Sequence, residues 1–366
     1  MKSKTPDFFI LIITLVLMAF GVIMVASASA PRALTLTNGQ DPFFFGKRQL
    51  IYAVLGIALL IMTINFDYHR FRSMTGLFLV LAPVFLVLVL IFGEVTNGAR
   101  RWIDLGLFNF QPSEFAKLAL IFVLAHYLAE IGPEVKNFLI GIGIPLFFTM
   151  VIGGLIMLEP DLGTTLVVFG IFFVMLFTAG ARLIHLSLIG ILGLGAGIIL
   201  ILKEPYRLRR ILSFINPMRD PKGDGWQILQ SLMAVGSGGF FGLGLGRSRQ
   251  KYFYLPEAHT DYIFAVLGEE LGLIGALMIL MAFFLLGWRG YKIAMSVDDS
   301  YGSMLAIGIT SWLVFQAMIN IGVVTSTLPA TGITLPFLSY GGSSLWIILV
   351  SIGILMNISR EAKVSY

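Results

Sequence analysis

The chain has 366 residues, 57% of them hydrophobic and only 12% charged, with a mean hydropathy of +0.91. A soluble domain carries about 25% charged residues, so a water-exposed globule is excluded and a lipid environment is implied. The 25 Lys and Arg outnumber the 20 Asp and Glu but lie scattered between apolar runs, not in the contiguous basic block that nucleic acid requires. Nucleic acid is therefore not an expected partner.

A hydrocarbon core about 30 Å thick needs roughly 20 helical residues. Runs of that kind fall near 8–28, 49–65, 73–93, 113–130, 137–158, 164–181, 183–202, 262–288, 302–324 and 339–358. The expected fold class is an all-α polytopic membrane protein of about ten transmembrane helices, one domain over 1–366. The first run ends in Ala26-Ser27-Ala28-Ser29-Ala30, like a signal-peptidase site. Its apolar stretch exceeds the 7–15 residues of a typical signal, so it reads as an uncleaved first span.

An even number of spans puts both termini on one side. With them in the cytoplasm, the inner segments hold Lys2, Lys4, Arg70, Arg72, Lys136, Arg182, Arg289, Lys292, Arg360 and Lys363. The short outer loops hold only Arg32, Lys47, Arg48, Arg100 and Arg101. The positive-inside bias favours that orientation, and residues 203–261 become a long extracytoplasmic loop between helices 7 and 8.

Ionisable groups within or at the ends of spans are costly and mark candidate sites. The first cluster is Asn97-Gly98-Ala99-Arg100-Arg101-Trp102, followed by Gln111-Pro112-Ser113-Glu114-Phe115-Ala116-Lys117. Pro112 suits a first helical turn, and Glu114 and Lys117 are an i, i+3 pair. They form either an internal ion pair or a site where Lys117 meets a substrate phosphate and Glu114 positions it. Glu159-Pro160-Asp161-Leu162-Gly163-Thr164 is an acidic hairpin, in which Asp161 either caps the next helix or serves a site.

In the long loop, Tyr206, Arg207 and Arg210 share a helical face, as do Gln227, Gln230 and Ser231. Clustered arginine recognises phosphates well, so an anionic ligand at the membrane surface competes with a merely solvated loop. Ile228, Leu229, Leu232 and Met233 between the polar positions predict a short amphipathic helix at the interface. The glycines from Gly236 to Gly246 predict flexible loop; they follow no strand and carry no GKS/T ending, so no nucleotide fingerprint applies.

Asp261 lies where this loop becomes the eighth span, and Glu269 follows on the same face. A carboxylate at the aqueous lip of a membrane stays ionised yet partly desolvated, which suits a general base. Helix capping by Thr260 or Asp261 is the competing role. Gln316 and Asn320 then precede a run with two prolines and three glycines, Leu328 to Ser344, which includes Ser339. Irregular backbone at membrane depth is tolerated only when protein-buried or lining a wet cavity, and a cavity is expected. The chain has no cysteine, and its four histidines are scattered. This leaves no thiolate or histidine metal site.

These blocks, in this order and over essentially the whole chain, closely resemble the SEDS family (shape, elongation, division and sporulation proteins) typified by RodA, FtsW and SpoVE. Gly246-Arg247-Ser248-Arg249-Gln250-Lys251 and Phe253-Tyr254-Leu255-Pro256-Glu257 are most similar to the FtsW/SpoVE branch. The resemblance implies a peptidoglycan glycosyltransferase of the bacterial cytoplasmic membrane. It would polymerise lipid II and work with a class B penicillin-binding protein in elongation, division or sporulation. The family's essential aspartate matches Asp261, and Glu114, Lys117 and Asp161 match positions important to the family.

On that basis Asp261 is the expected catalytic base. Lys117, Glu114, Asp161, Arg207, Arg210, Gln227, Gln230, Ser231 and Ser339 are the expected substrate-binding residues. Lys117, Arg207, Arg210 or a divalent cation (Mg or Mn) would stabilise the leaving diphosphate. Asp161 and Glu114 are the carboxylates available to such a cation, though no oxygen-rich ligand spacing is visible. The competing functions are a lipid II flippase, which shares the intramembrane charges and basic outer loop, and a non-enzymatic scaffold.

Overall fold

The computed structural model describes residues 5–96, 98–106 and 108–363. Lys2, Lys4 and Asn97, and the side chain of Tyr206, lie outside what it describes. Among the described residues, nine helices are long and apolar enough to cross a membrane, and Leu162–Thr178 is a shorter apolar helix. The ten predicted runs therefore all become helices. The chain begins with α1 (Phe8–Leu36), where the Asp7 carboxylate accepts from the backbone N–H groups of Phe9 and Ile10. This satisfies two of the donors that a helix start leaves open. α1 runs eight residues past its predicted end at 28, through Pro31, and carries Arg32 outward. α2 (Phe44–Ile64), the short α3 (His69–Ser73) and α4 (Thr75–Phe92) follow.

The segment after α4 departs from the all-α expectation. β1 (Glu94–Thr96), β2 (Ala99–Asp104) and β3 (Asn109–Phe110) form a small antiparallel sheet in the order β1-β2-β3. A strand this short has no hydrophobic repeat to show in the sequence. Its register pairs Val95 with Arg100 and Ile103 with Phe110. α5 (Pro112–Ile131) starts with proline in its first turn. α6 (Ile144–Leu158) is preceded by one wide π-helical turn, Phe138–Gly143. α7 (Leu162–Thr178) and α8 (Leu183–Lys203) complete the first seven spans.

The long outer loop contains α9 (Pro205–Ile215) and α10 (Trp226–Ser237). The last three spans are α11 (Ile263–Ser296), α12 (Ser300–Val324) and α13 (Gly342–Ser359). α12 is central: it packs against α5, α7, α11 and α13, and 72% of its apolar window is buried, against 11% for α8. The predicted start of the tenth span at 339 is corrected to Gly342. Residues 325–341 are non-helical, and Thr331, Ile333, Leu335, Phe337, Leu338 and Ser339 are buried. This is the irregular backbone expected, in its protein-buried form. Two apolar grooves of about 250 Å³ flank Phe78, between α4, α5 and α6 and between α2, α4, α5 and α13; neither is lined by this segment.

The ends of the chain meet on one face. Asp7 donates its backbone N–H to Ser359 Oγ at 2.9 Å, and its carboxylate is ion-paired with Arg289. Tyr68 O–H lies 3.1 Å from Asp299 and 2.9 Å from Glu361. These contacts close the bundle on the side of the termini, opposite the β-sheet and α9–α10.

Candidate active site

Asp261 stands at the foot of α11, half-buried, in a loop whose backbone is fixed from outside. Three successive carbonyls are each capped: His259 by Tyr340 N–H at 3.0 Å, Thr260 by Ser339 Oγ at 2.7 Å and Asp261 by Asn320 Nδ2 at 2.7 Å. Asn320 Nδ2 also donates to the Ile333 carbonyl at 2.7 Å, tying the loop to the irregular segment. The Asp261 carboxylate itself receives no hydrogen bond among the described residues. It is not a helix cap; α11 starts without a side-chain cap. Burial first, then the negative charges of Glu257 and Asp161, raise its pKa to about 7, against the lowering pull of Arg101 and Arg210. A carboxylate so placed is half-ionised near neutral pH, the condition that favours general-base work.

Arg101 is the neighbour that the sequence reading did not select. β2 aims it inward, where Nε donates to the Glu159 carbonyl at 3.3 Å and Nη2 to the Pro160 carbonyl. Its Nε lies 3.9 Å from Asp161 Oδ2. Gly332, with φ +77, separates it from Asp261: a methyl group there would sit 3.5 Å from Asp261 Oδ2 and 3.6 Å from Arg101 Nη1. Those are ordinary contact distances, so glycine is favoured here by the backbone conformation and not by lack of space. The signal in the sequence was the doubled Arg100-Arg101, but only strand register separates them. Arg100 turns outward, to the Leu90 carbonyl.

Glu159 is the second unforeseen group. It is fully buried, and neither carboxyl oxygen has a hydrogen-bond partner among the described residues. Burial and nearby Asp161, opposed by Arg101, raise its pKa to about 9, so it is neutral at pH 7. Asp161 is both cap and site neighbour: Oδ1 accepts from Thr164 N–H at 3.0 Å, and Oδ2 from Thr164 Oγ1 at 2.9 Å.

Several predicted substrate contacts are placed differently. Lys117 is 1% exposed; its ammonium donates to Glu114 Oε1 at 2.7 Å and Gln316 Oε1 at 2.6 Å and lies 5.0 Å from the Trp312 ring centre. It has no face left for a phosphate, so the internal ion pair is the arrangement found. Gln316 Nε2 in turn donates to the Thr334 carbonyl at 3.1 Å. Lys117 and Glu114 thus brace the same irregular segment that Asn320 holds. Ser339 is likewise a brace: Oγ donates to Thr260 O and accepts from Leu335 N–H at 2.8 Å.

Ser231 is buried and donates to the Val324 carbonyl at 2.7 Å. Gln230 is buried and Gln227 half-buried, while Leu232 and Met233 are exposed. α10 packs on α11 and buries Ile228, Leu229 and Ala234 together with Gln230 and Ser231, so its inward face mixes apolar and polar side chains. Of the α9 arginines, Arg210 reaches over the site, donating to Ala330 O at 3.2 Å and acting on Asp261. Arg207 points back to the Leu200 carbonyl at 3.4 Å.

The glycine-rich stretch is docked, not loose. α11 breaks at Gly272 (φ +67), and the stretch fills the break: Leu243 and Gly244 donate to the Glu269 and Glu270 carbonyls, and Leu273 and Ile274 to Gly239 and Phe240. The two buried carboxylates finish the dock. Glu270 accepts from Gly246 N–H and Lys251 Nζ, each at 2.9 Å, and Glu269 from Arg249 N–H at 2.9 Å and Ser248 Oγ. Glu269 is thus a tether, not a partner of Asp261. For a divalent cation the fit is poor: among the described residues no group of three or more His, Asp or Glu converges, and Glu114 and Asp161 already serve other groups.

Residues 8–364 match the model of the FtsW/RodA/SpoVE family, described as cell cycle protein. Stage V sporulation protein E of Bacillus subtilis is 50% identical over 99% of both chains. The "Probable peptidoglycan glycosyltransferase FtsW" of Escherichia coli O6:H1 is 44% identical, over 96% of this chain and 85% of that protein. Among solved structures, a chain of a peptidoglycan synthase complex that coordinates polymerization and crosslinking superposes with a TM-score of 0.81 at 30% identity, covering 97% of this chain and 98% of that one. The rod shape determining protein RodA of Thermus thermophilus gives 0.71 at 28% identity, with 98% of each chain covered.

Proposed function

Because this chain belongs to the cell cycle protein family of FtsW, RodA and SpoVE, we propose that it is a peptidoglycan glycosyltransferase, polymerising lipid II with release of undecaprenyl diphosphate. The observation that carries the chemistry is the Asp261 carboxylate, free of hydrogen bonds among the described residues and flanked by Arg101 and Arg210. The donor sugar is α-linked to its diphosphate and the polymer is β-linked, so one displacement with inversion suffices. Asp261 takes the proton from the acceptor GlcNAc 4-hydroxyl. That oxygen bonds to the donor MurNAc anomeric carbon, and the bond from this carbon to the diphosphate breaks.

Negative charge grows on the leaving diphosphate as that bond breaks. Arg101 and Arg210 are the cations beside Asp261 that meet it, with Arg207 one turn away on α9. Preorganised cations aimed at developing charge are commonly the largest contribution to such catalysis. Arg101 suits the task because its side-chain hydrogen bonds go to neutral carbonyls. Lys117 and Glu114 act at one remove, through Gln316, which holds Thr334 in place. No step passes through a divalent cation.

The active face lies outside the bacterial cytoplasmic membrane, with both termini in the cytoplasm. A class B penicillin-binding protein that cross-links the emerging strand is the partner. The test is polymerisation of pure lipid II by the purified protein in detergent. Wild type is expected to make glycan ladders, and Asp261→Asn to make them 10²–10⁴-fold more slowly, the usual contribution of a general base, while remaining folded. Ladders from Asp261→Asn at wild-type rate would refute the assignment. Lipid II transport in liposomes without glycan formation would favour a flippase.

A further inference from the structure

The loop entering α11 is wound around one side chain that the mechanism above does not use. Glu257, four residues before Asp261, has φ +52, in the left-handed region that a residue with a side chain enters only at a conformational cost. Its carbonyl accepts from the backbone N–H groups of Thr260 and Tyr262, each at 3.2 Å. Its carboxylate accepts from Thr260 Oγ1 at 3.0 Å and pairs with Arg32 Nη1 at 3.4 Å. Arg32 is delivered by the extra turns of α1 beyond its expected end. Two distant parts of the chain thus cooperate to hold a second carboxylate on Thr260, the residue next to Asp261.

The charged groups that face Asp261 come from every element packed around it. They are Glu257 of its own loop, Asp161 at the head of α7, Arg101 of β2 and Arg210 of α9. His259 is buried beside them, and burial and Arg32 lower its pKa to about 4, so it is neutral. Asp161 and Arg101 are fixed by structural hydrogen bonds, to Thr164 and to the Glu159–Pro160 carbonyls. Glu257 and Arg32 differ in reaching solvent, with side chains 30% and 49% exposed. Their charges can be removed without emptying a buried ion pair.

We propose that Glu257 and Arg32 form a charge couple that governs the proton affinity of Asp261, Glu257 tightening its hold on the proton and Arg32 moderating Glu257. They are positioning residues acting through the field, and the proposal rests on reading Asp261 as the general base. Both side chains are partly solvated, so the field is screened and the effect is modest. Its distinguishing mark is opposite sign.

The experiment is the pH dependence of the initial polymerisation rate at subsaturating lipid II, for the wild type, Glu257→Gln, Arg32→Gln, the double variant and Asp261→Asn. Glu257→Gln keeps an acceptor for Thr260 and is expected to move the acid limb to lower pH, by about 0.3–1 unit in view of the screening. Arg32→Gln is expected to move it to higher pH, and the double variant to fall between. A merely structural role lowers the plateau or moves both limbs alike; either result, or limbs that stay in place, overturns the proposal. If Glu257→Gln does not fold, Arg32→Gln still decides the sign. A wild-type acid limb persisting in Asp261→Asn would instead overturn the base assignment itself.

Discussion

A general base is useful only if its position is fixed and its carboxylate is not already occupied, and Asp261 meets both conditions by separate means. Its backbone and those of the two preceding residues are held by Tyr340, Ser339 and Asn320, leaving the side chain for substrate. With its pKa raised to about 7, the active, ionised form is lost as pH falls. The rate is expected to drop about tenfold per unit below pH 6, measured as initial glycan formation. Glu159 gives a different pH signature. Its pKa, raised to about 9, lies above the unfolded value near 4.5, so its contribution to stability is complete below pH 4.5 and is lost as pH rises toward 9. Glu159→Gln, neutral at every pH, is expected to remove that alkaline loss in thermal unfolding of the detergent-solubilised protein.

Asp261, Asp161 and Arg210 were legible in the sequence because charge at a membrane boundary is conspicuous. Lys117 was equally conspicuous, but the sequence left its internal ion pair and its phosphate contact as alternatives. An i, i+3 pair can be read from spacing, but Gln316, nearly two hundred residues on, cannot be seen to complete the ammonium's set of acceptors. Ser231 and Ser339 are alike in this: a hydroxyl at a promising position does not reveal that it already donates to a carbonyl, here those of Val324 and Thr260. Arg101 escaped because the alternation of a six-residue strand decides which of two adjacent arginines faces inward.

At the scale of elements, the break in α11 is where the glycine-rich stretch of the outer loop docks. Glu269-Glu270-Leu271-Gly272 reads as uninterrupted helix, since one glycine is tolerated in a helix and nothing local announces the docked loop. The consequence is measurable. Gly272→Ala would put a methyl group 2.4 Å from Gly242 N and 2.6 Å from Phe240 O at a positive φ, and is expected to destabilise by more than about 1 kcal/mol. Glu270→Ala is expected to cost more, about 3–5 kcal/mol, because it strands the buried Lys251 ammonium. Both are read from thermal unfolding in detergent, alongside the rate. α10 was legible as a short helix, but not that its inward face buries Ile228 and Leu229 beside Gln230 and Ser231, because periodicity does not say which neighbour a face meets.

At the scale of the whole molecule, hydropathy located all ten spans to within a few residues at most ends, because length and apolarity are local properties. Asp7 joins Ser359 and Arg289 on the face of the termini, opposite Asp261, and the proposed orientation puts Asp261 on the outer side of the bilayer. The chain's lack of cysteine makes this topology easy to test. Gln40→Cys, exposed after α1, is expected to react with an impermeant maleimide on intact cells. Ser73→Cys, exposed beside α3, is expected to react only after the membrane is opened.

One helix stands apart from this packing. α8 buries Leu186 and Ile189 and little else, so most of its length is exposed on the outside of the bundle. Its 21 residues span about 31 Å at 1.5 Å per residue, close to the thickness of an ordinary hydrocarbon core, and such a helix answers mismatch by tilting. α9 is attached directly to its outer end and carries Arg210 over Asp261, so the height of that guanidinium follows the bilayer. Reconstitution into phosphatidylcholines of increasing acyl-chain length is expected to show a rate maximum at intermediate length, and Arg210→Gln to flatten it.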